Sequence, residues 1–161
     1  MLIQLYFLRH AHAGDPSSWE APDAIRPLSE KGERQADRMG RYLATVGLAP
    51  DAVITSPKVR AARTAEIVAM HLGVPVLTDP RLAGPFGLDD LEAILVDAGS
   101  PVRPIIVGHD PDFGTLVSLL AGATSIPMKK GALARIDIEG RLMPGGGTLR
   151  WLLPPDLLPG G

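Results

Sequence analysis

The sequence predicts an α/β fold, a three-layer α/β/α sandwich around a mainly parallel central sheet. Three observations carry that expectation. Short apolar runs rich in β-branched residues alternate with segments whose apolar residues recur at helical spacing, the pattern of strands joined by crossover helices. Each of the strongest runs stops at polar residues that open the next helix. No internal repeat and no linker-like stretch divides the 161 residues, so one domain covering 1–161 is expected, long enough to bury a sizeable core.

Composition narrows the function classes. The chain is 45% hydrophobic and 21% charged, ordinary for a globular protein, and its 18 glycines and 16 prolines fall mostly between the periodic segments. A net charge of -2 provides no broad basic surface for nucleic acid. The absence of cysteine excludes disulfides and thiolate metal sites. No apolar stretch is long enough to span a bilayer. Ala11-His12-Ala13 imitates a signal-peptidase site, but no positive charge precedes the apolar run and Arg9-His10 interrupts it. The N-terminus is therefore read as a mature first strand of a cytoplasmic protein.

Taken in order, Leu2 to Leu8 is apolar except for Gln4 and reads as a buried strand ending at Arg9-His10. Gly14 to Pro27 is a polar, proline-rich loop containing Trp19. Ser29 then caps a helix carrying Ala36, Met39, Leu43 and Val46, stopped by Gly47. Asp51 to Thr55 is a second strand. Ser56-Pro57 has the signature of an N-cap and first-turn proline for a helix to Leu72, with Val59, Ala62, Ala65, Val68 and Leu72 as its stripe and Gly73 as its stop. Val74 to Leu77 is an edge-like strand, since proline inside a strand suits an edge. After a loop over Asp79–Gly87 comes a helix from Leu88 to Ala98. Pro104 to Gly108 is a buried strand that runs into His109, then an Asp110 N-cap and Pro111 at the first helical position. That helix carries Phe113, Leu116, Val117, Leu119 and Leu120. Ala132–Ile138 and Thr148–Leu153 are two further strands, and the tail from Pro154 reads as a surface strap.

The chemistry-bearing residues collect at three strand ends: Arg9 and His10, then Thr55-Ser56 with Arg60 one turn on, then Gly108-His109-Asp110. If those strands are neighbours in a parallel sheet, their carboxyl ends share one crevice. It would hold two arginines, two histidines and free backbone N–H groups, a cage suited to phosphate or another tetrahedral anion. Each residue alone has a plainer role: Arg60 as a solvated helix residue with Arg63 as its rival, His109 as a core histidine, Asp110 as a cap. A further alternative is a metal site from the His10-x-His12 spacing with His109, although two arginines there would repel a cation. No metal or cofactor is expected. With neither G-x-G-x-x-G nor a P-loop present, dinucleotide and nucleoside triphosphate folds are disfavoured.

Four segments carry a family resemblance. Leu8-Arg9-His10-Ala11 resembles the R-H-G signature of the histidine phosphatase (phosphoglycerate mutase-like) superfamily. Arg26-Pro27-Leu28-Ser29-Glu30-Lys31-Gly32 is similar to its R-P-L-[ST]-x-x-G, Ser56 to Ala65 to its S-x-x-x-R-A-x-x-T-A, and Val107 to Pro111 to its second-histidine segment. The match runs in order through nearly the whole chain and implies the phosphoglycerate mutase-like version of the fold. It implies His10 as nucleophile, Arg9 and Arg60 as holders of the phosphoryl oxygens, and His109 as the second histidine; Arg63 falls off the family's arginine position. Two departures stand out. Ala11 replaces a glycine, and Arg81-Leu82-Ala83-Gly84 lacks the glutamate that larger members carry in a segment resembling R-L-x-E.

A missing acid matters for the leaving group. An alkoxide needs a proton, and a placed acid contributes typically 10²–10⁴-fold, whereas imidazole leaves readily. The short chain without that glutamate resembles the SixA-type phosphohistidine phosphatases, which implies a phosphohistidine-bearing protein as substrate and a covalent phosphohistidine intermediate at His10. Nucleic acid and membrane are not expected partners. A small-molecule phosphomonoesterase using Asp15, Glu20, Asp89 or Asp90 as acid, and a non-catalytic phosphoprotein-binding module, are the alternatives.

Overall fold

A computed structural model describes residues 1–160. Six strands, β1 (Leu2–Arg9), β2 (Ala52–Thr55), β3 (Val76–Thr78), β4 (Pro104–Gly108), β5 (Leu133–Glu139) and β6 (Gly147–Leu153), form one sheet in the order β3-β2-β4-β1-β5-β6. The first four are mutually parallel, while β5 and β6 pair antiparallel and extend the sheet at one side. Four helices cover it: α1 (Glu30–Thr45), α2 (Val59–Leu72), α3 (Leu88–Asp97) and α4 (Asp112–Ala121).

The period-2 pleat divides the core into two layers. Leu5 and Phe7 of β1 join Ile54, Ile106, Ala134 and Ile136 on the face covered by α3 and α4, through Leu91, Ile94, Phe113, Leu116 and Leu120. Tyr6 and Leu8 join Val53, Ile105, Val107 and Leu133 on the opposite face, under Met39 and Leu43 of α1 and Ala61, Ala65 and Val68 of α2. Strands buried on both faces need continuous apolar sequence, which is why Leu5–Leu8 and Ile105–Val107 lack alternation. The three-layer sandwich is as the sequence predicts.

Several local expectations are corrected. Ser56-Pro57 does not start α2: the helix begins at Val59, and the Ser56 hydroxyl accepts the Lys58 N–H at 3.2 Å in a turn. The buried face of α2 carries Ala61, Thr64, Ala65 and Val68, with Val59 exposed and Ala62 half-buried. α4 likewise starts at Asp112 rather than Pro111. Val46 and Leu119 face solvent, Val46 because α1 ends at Thr45 and the chain turns away. The tail is no surface strap, since Pro155 and Leu158 are buried, Leu158 against the α1/α2 layer.

Candidate active site

Because β1 lies beside β4 and β4 beside β2, their carboxyl ends are adjacent. The register pairs Arg9 with Gly108 and Thr55 with Val107. Hydrogen bonds carry the order beyond the ladder: His10 N–H donates to Gly108 O at 3.0 Å and Ser56 N–H to Val107 O at 3.0 Å. Strand pairing thus brings His10, Ser56 and His109 to one crevice. Gly108 is required at the turn, since a Cβ there would lie 2.6 Å from the Phe113 ring of α4.

The His10 and His109 rings lie with centroids 5.3 Å apart, and both side chains are buried. His10 Nδ1 lies 2.7 Å from the Ala11 carbonyl oxygen. A carbonyl only accepts, so Nδ1 carries the proton and Nε2 keeps its lone pair. Burial, with Arg60, Arg9 and Arg26 nearby, pushes the His10 pKa down to about 3 against the partial support of the Ala11 bond, so the ring is neutral at pH 7. His109 is also lowered to about 3, by burial first and then by His10, Arg60 and Lys58. Its Nε2 lies 2.7 Å from Ser56 Oγ. That hydroxyl also accepts from Lys58 N–H, and where it directs its own hydrogen to Nε2 the His109 proton sits on Nδ1.

Arg60, on the first turn of α2, is buried, whereas Arg63 is exposed and paired with Glu33 and Glu66. Of the two, it is Arg60 whose charge acts on His10 and on Arg9. Thr64 locks α2 to the loop, accepting Ala11 N–H at 3.1 Å and donating to Arg60 O at 2.7 Å. Ala11 has ordinary backbone geometry and needs no glycine. His12 does not join the other two histidines: its Nδ1 pairs with Ser29 Oγ at 2.6 Å, at the start of α1. Among the described residues no group of three or more His, Asp or Glu is arranged to hold a metal.

Of the four loop carboxylates, Asp15 accepts from Ser17 N–H and Asp90 from Gly87 N–H, each holding a turn. Glu20 and Asp89 are both exposed. Besides Asp110, which lies 3.4 Å from Arg9 Nη1, a carboxylate that does reach the site is Asp23, which the sequence did not single out. It lies in a 3-10 turn within the proline-rich loop, and Arg60 Nη2 donates to it at 3.0 Å. The one sequence signal was its position three residues before Arg26, which donates to Ala13 O at 2.6 Å and draws the loop against the end of β1.

Among the described residues only three buried side-chain nitrogens or oxygens have no hydrogen-bond partner in the protein: Arg9 Nε, Arg60 Nε and His109 Nδ1. All three belong to this crevice. Buried polar atoms are nearly always paired, so three orphans in one pocket mark a place built for a ligand rich in acceptors.

Residues 5–87 match the model of the histidine phosphatase superfamily (branch 1), and the chain belongs to that superfamily. Arg9, His10 and Arg60 fall inside the matched segment and His109 beyond it. Within the superfamily the chain is SixA-like. It is 29% identical over 160 residues to the phosphohistidine phosphatase SixA of Escherichia coli K12, covering 95% of this chain and 94% of that one. A solved structure of the protein histidine phosphatase SixA complexed with tungstate superposes with a TM-score of 0.83 at 26% identity, covering 96% of this chain and 98% of that one. An uncharacterized protein of Picosynechococcus sp. PCC 7002 is 35% identical over 122 residues, 74% of this chain and 73% of its own length.

Proposed function

We propose that this protein hydrolyses phosphohistidine on protein substrates through a covalent intermediate at His10. The observation that carries the reading is the coincidence of an unprotonated Nε2 on a buried, neutral His10 with the three unpaired nitrogens around it. Nε2 attacks phosphorus in line, a P–N bond to His10 forms, and the P–N bond to the substrate imidazole breaks, that ring leaving neutral because its other nitrogen carries a proton. Water then attacks the phosphoryl group, releasing inorganic phosphate and regenerating neutral His10. Arg9, Arg60 and His109 Nδ1–H donate to the equatorial oxygens, so catalysis is chiefly positioning and charge stabilisation.

The leaving group favours the same substrate class. Asp23 is held ionised: its partial burial works the other way, but Arg60 and Arg26 keep its carboxyl below the usual range, which suits it poorly to protonating an alkoxide. An imidazole protonated on its other ring nitrogen leaves neutral and makes no such demand on the enzyme. Next to the crevice an open groove of about 440 Å³ runs along α4, reached past Asp110 and Met128 and lined by Thr115, Ser118 and Thr124. An open groove suits a peptide carrying the phosphoryl group.

The test is turnover of a phosphohistidine protein beside sugar phosphates, by wild type and by His10→Ala. Hydrolysis of the protein substrate well above the sugar phosphates is expected, and His10→Ala loses several orders of magnitude. Label trapped from a phosphohistidine substrate is acid-labile and base-stable. Activity retained by His10→Ala moves the nucleophile elsewhere, and a preference for sugar phosphates replaces the protein substrate with a small molecule.

A further inference from the structure

The two arginines are both held by the protein, Arg60 more fully than Arg9. Arg60 Nη1 donates to the main-chain oxygen of Asp23 at 2.9 Å while Nη2 donates to its carboxylate at 3.0 Å. Arg9 Nη1 donates to the main-chain oxygen of Met128 at 2.8 Å and lies 3.4 Å from the Asp110 carboxylate. Each guanidinium therefore meets one carbonyl and one carboxylate, Arg60 at both outer nitrogens and Arg9 at Nη1 alone. Each Nε is buried and has no partner in the protein. A guanidinium offers two bidentate edges, and this grip consumes the outer one in Arg60 and engages its Nη1 corner in Arg9. The side edge, made of Nε and the nearer hydrogen of Nη2, has no protein partner at Nε in either.

The carboxylates are themselves anchored. Asp23 also receives Arg26 Nε at 3.4 Å, with Lys58 Nζ at 4.0 Å, and Arg26 reaches on to Ala13 O. Asp110 accepts Gly114 N–H at 3.0 Å in the first turn of α4. A flexible arginine gripped at two points loses little further freedom when a ligand arrives, so orientation is settled before binding.

Resting on the phosphoryl-binding reading of this crevice, we propose that Asp23 and Asp110 are positioning residues that aim the Nε edges of Arg60 and Arg9 at the phosphoryl oxygens. They also offset part of the pocket's positive charge. Asp23 is the sharper case, because its side chain is 55% exposed while that of Arg60 is 7% exposed. Its replacement disturbs the grip without opening the core.

The experiment compares Asp23→Asn with Asp23→Ala. Both remove the charge, so their ratio isolates the hydrogen bond. The asparagine amide oxygen still accepts from Nη2. Tungstate affinity by calorimetry and kcat on a phosphohistidine peptide are both read. Asp23→Ala is expected to bind tungstate roughly tenfold more weakly than Asp23→Asn and to lose about 10–100-fold in kcat against it. Thermal melts without anion are expected to match for the two variants, and the Asp110→Asn and Asp110→Ala pair repeats the comparison at Arg9. Equal tungstate affinity and kcat in the Asn and Ala variants overturn the proposal, whether both resemble wild type or both are impaired. Tungstate binding does not depend on turnover. A wild type that binds tungstate yet leaves phosphohistidine intact counts against the proposed reaction and leaves the positioning role to be decided by the affinities.

Discussion

At the scale of single residues, the two imidazoles link the site to stability. Their pKa values fall from 6.5 to about 3 on folding, so between these limits the unfolded chain binds protons that the folded one refuses. Stability then rises with pH across the window. The contribution is whole above the unfolded pKa near 6.5 and is lost as pH falls toward 3. One pKa unit is worth about 1.4 kcal/mol, so each ring accounts for a few kcal/mol at most. Urea denaturation of wild type at stepped pH should show that decline, and His109→Asn should flatten it. Parallel curves for the two proteins would mean that His109 is not held neutral. His109 was legible in the sequence as a strand-end histidine, but its hydrogen bond to Ser56 was not. Ser56 reads as a helix cap; it becomes the partner of His109 only because β2 and β4 pair in register with Thr55 opposite Val107.

Among elements, the placement of α1 explains a motif that the strand-end argument leaves aside. Gly32, the last residue of the Arg26–Gly32 segment, faces the backbone of the loop after β1: a Cβ there would fall onto the His12 carbonyl group. Ser29 reinforces the contact, capping α1 through Gly32 N–H at 3.1 Å while its own N–H donates to His12 O at 3.0 Å. The segment docks a helix start onto the loop that carries His10. A backbone atom cannot swing aside, so Gly32→Ala must move α1 or the loop. Overpacking of this kind costs typically 1–3 kcal/mol. A fall in Tm of several degrees, with reduced kcat, is the expected outcome; an unchanged Tm would show that the two segments part easily. Helix and strand identity was legible throughout from periodicity. Helix starts were not, because serine, aspartate and proline before α2 and α4 read as caps, whereas α2 begins at Val59 and α4 at Asp112, and Ser56 and Asp110 also meet a histidine and an arginine. Asp23 was hidden for a different reason. It sits in an aperiodic loop, and half of its grip on Arg60 comes from a main-chain oxygen, which any residue type would supply.

For the molecule as a whole, the strand order decides the chemistry. The sequence places β2 after β1, yet β4 inserts between them, and only that insertion puts His109 between His10 and Ser56. Convergence comes at an electrostatic cost: Arg9, Arg60 and Arg26 act together on one buried imidazole, and Arg60 also acts on Arg9. Unfolding separates these charges, so a tetrahedral anion that bridges them binds the folded state alone. Ligand binding of this kind stabilises by about 2.7 kcal/mol at a hundredfold excess over Kd. Tungstate should therefore raise Tm by several degrees near pH 7, by an amount that grows with its concentration. The rise should shrink sharply in Arg60→Ala, which removes one donor while vacating a buried position. Arg63→Ala is the control, since that side chain is exposed and engaged with Glu33 and Glu66, and it should respond as wild type does. A tungstate shift that survives Arg60→Ala intact, or one abolished equally by Arg63→Ala, would mean the anion binds by diffuse surface charge instead of in the crevice between the three strand ends.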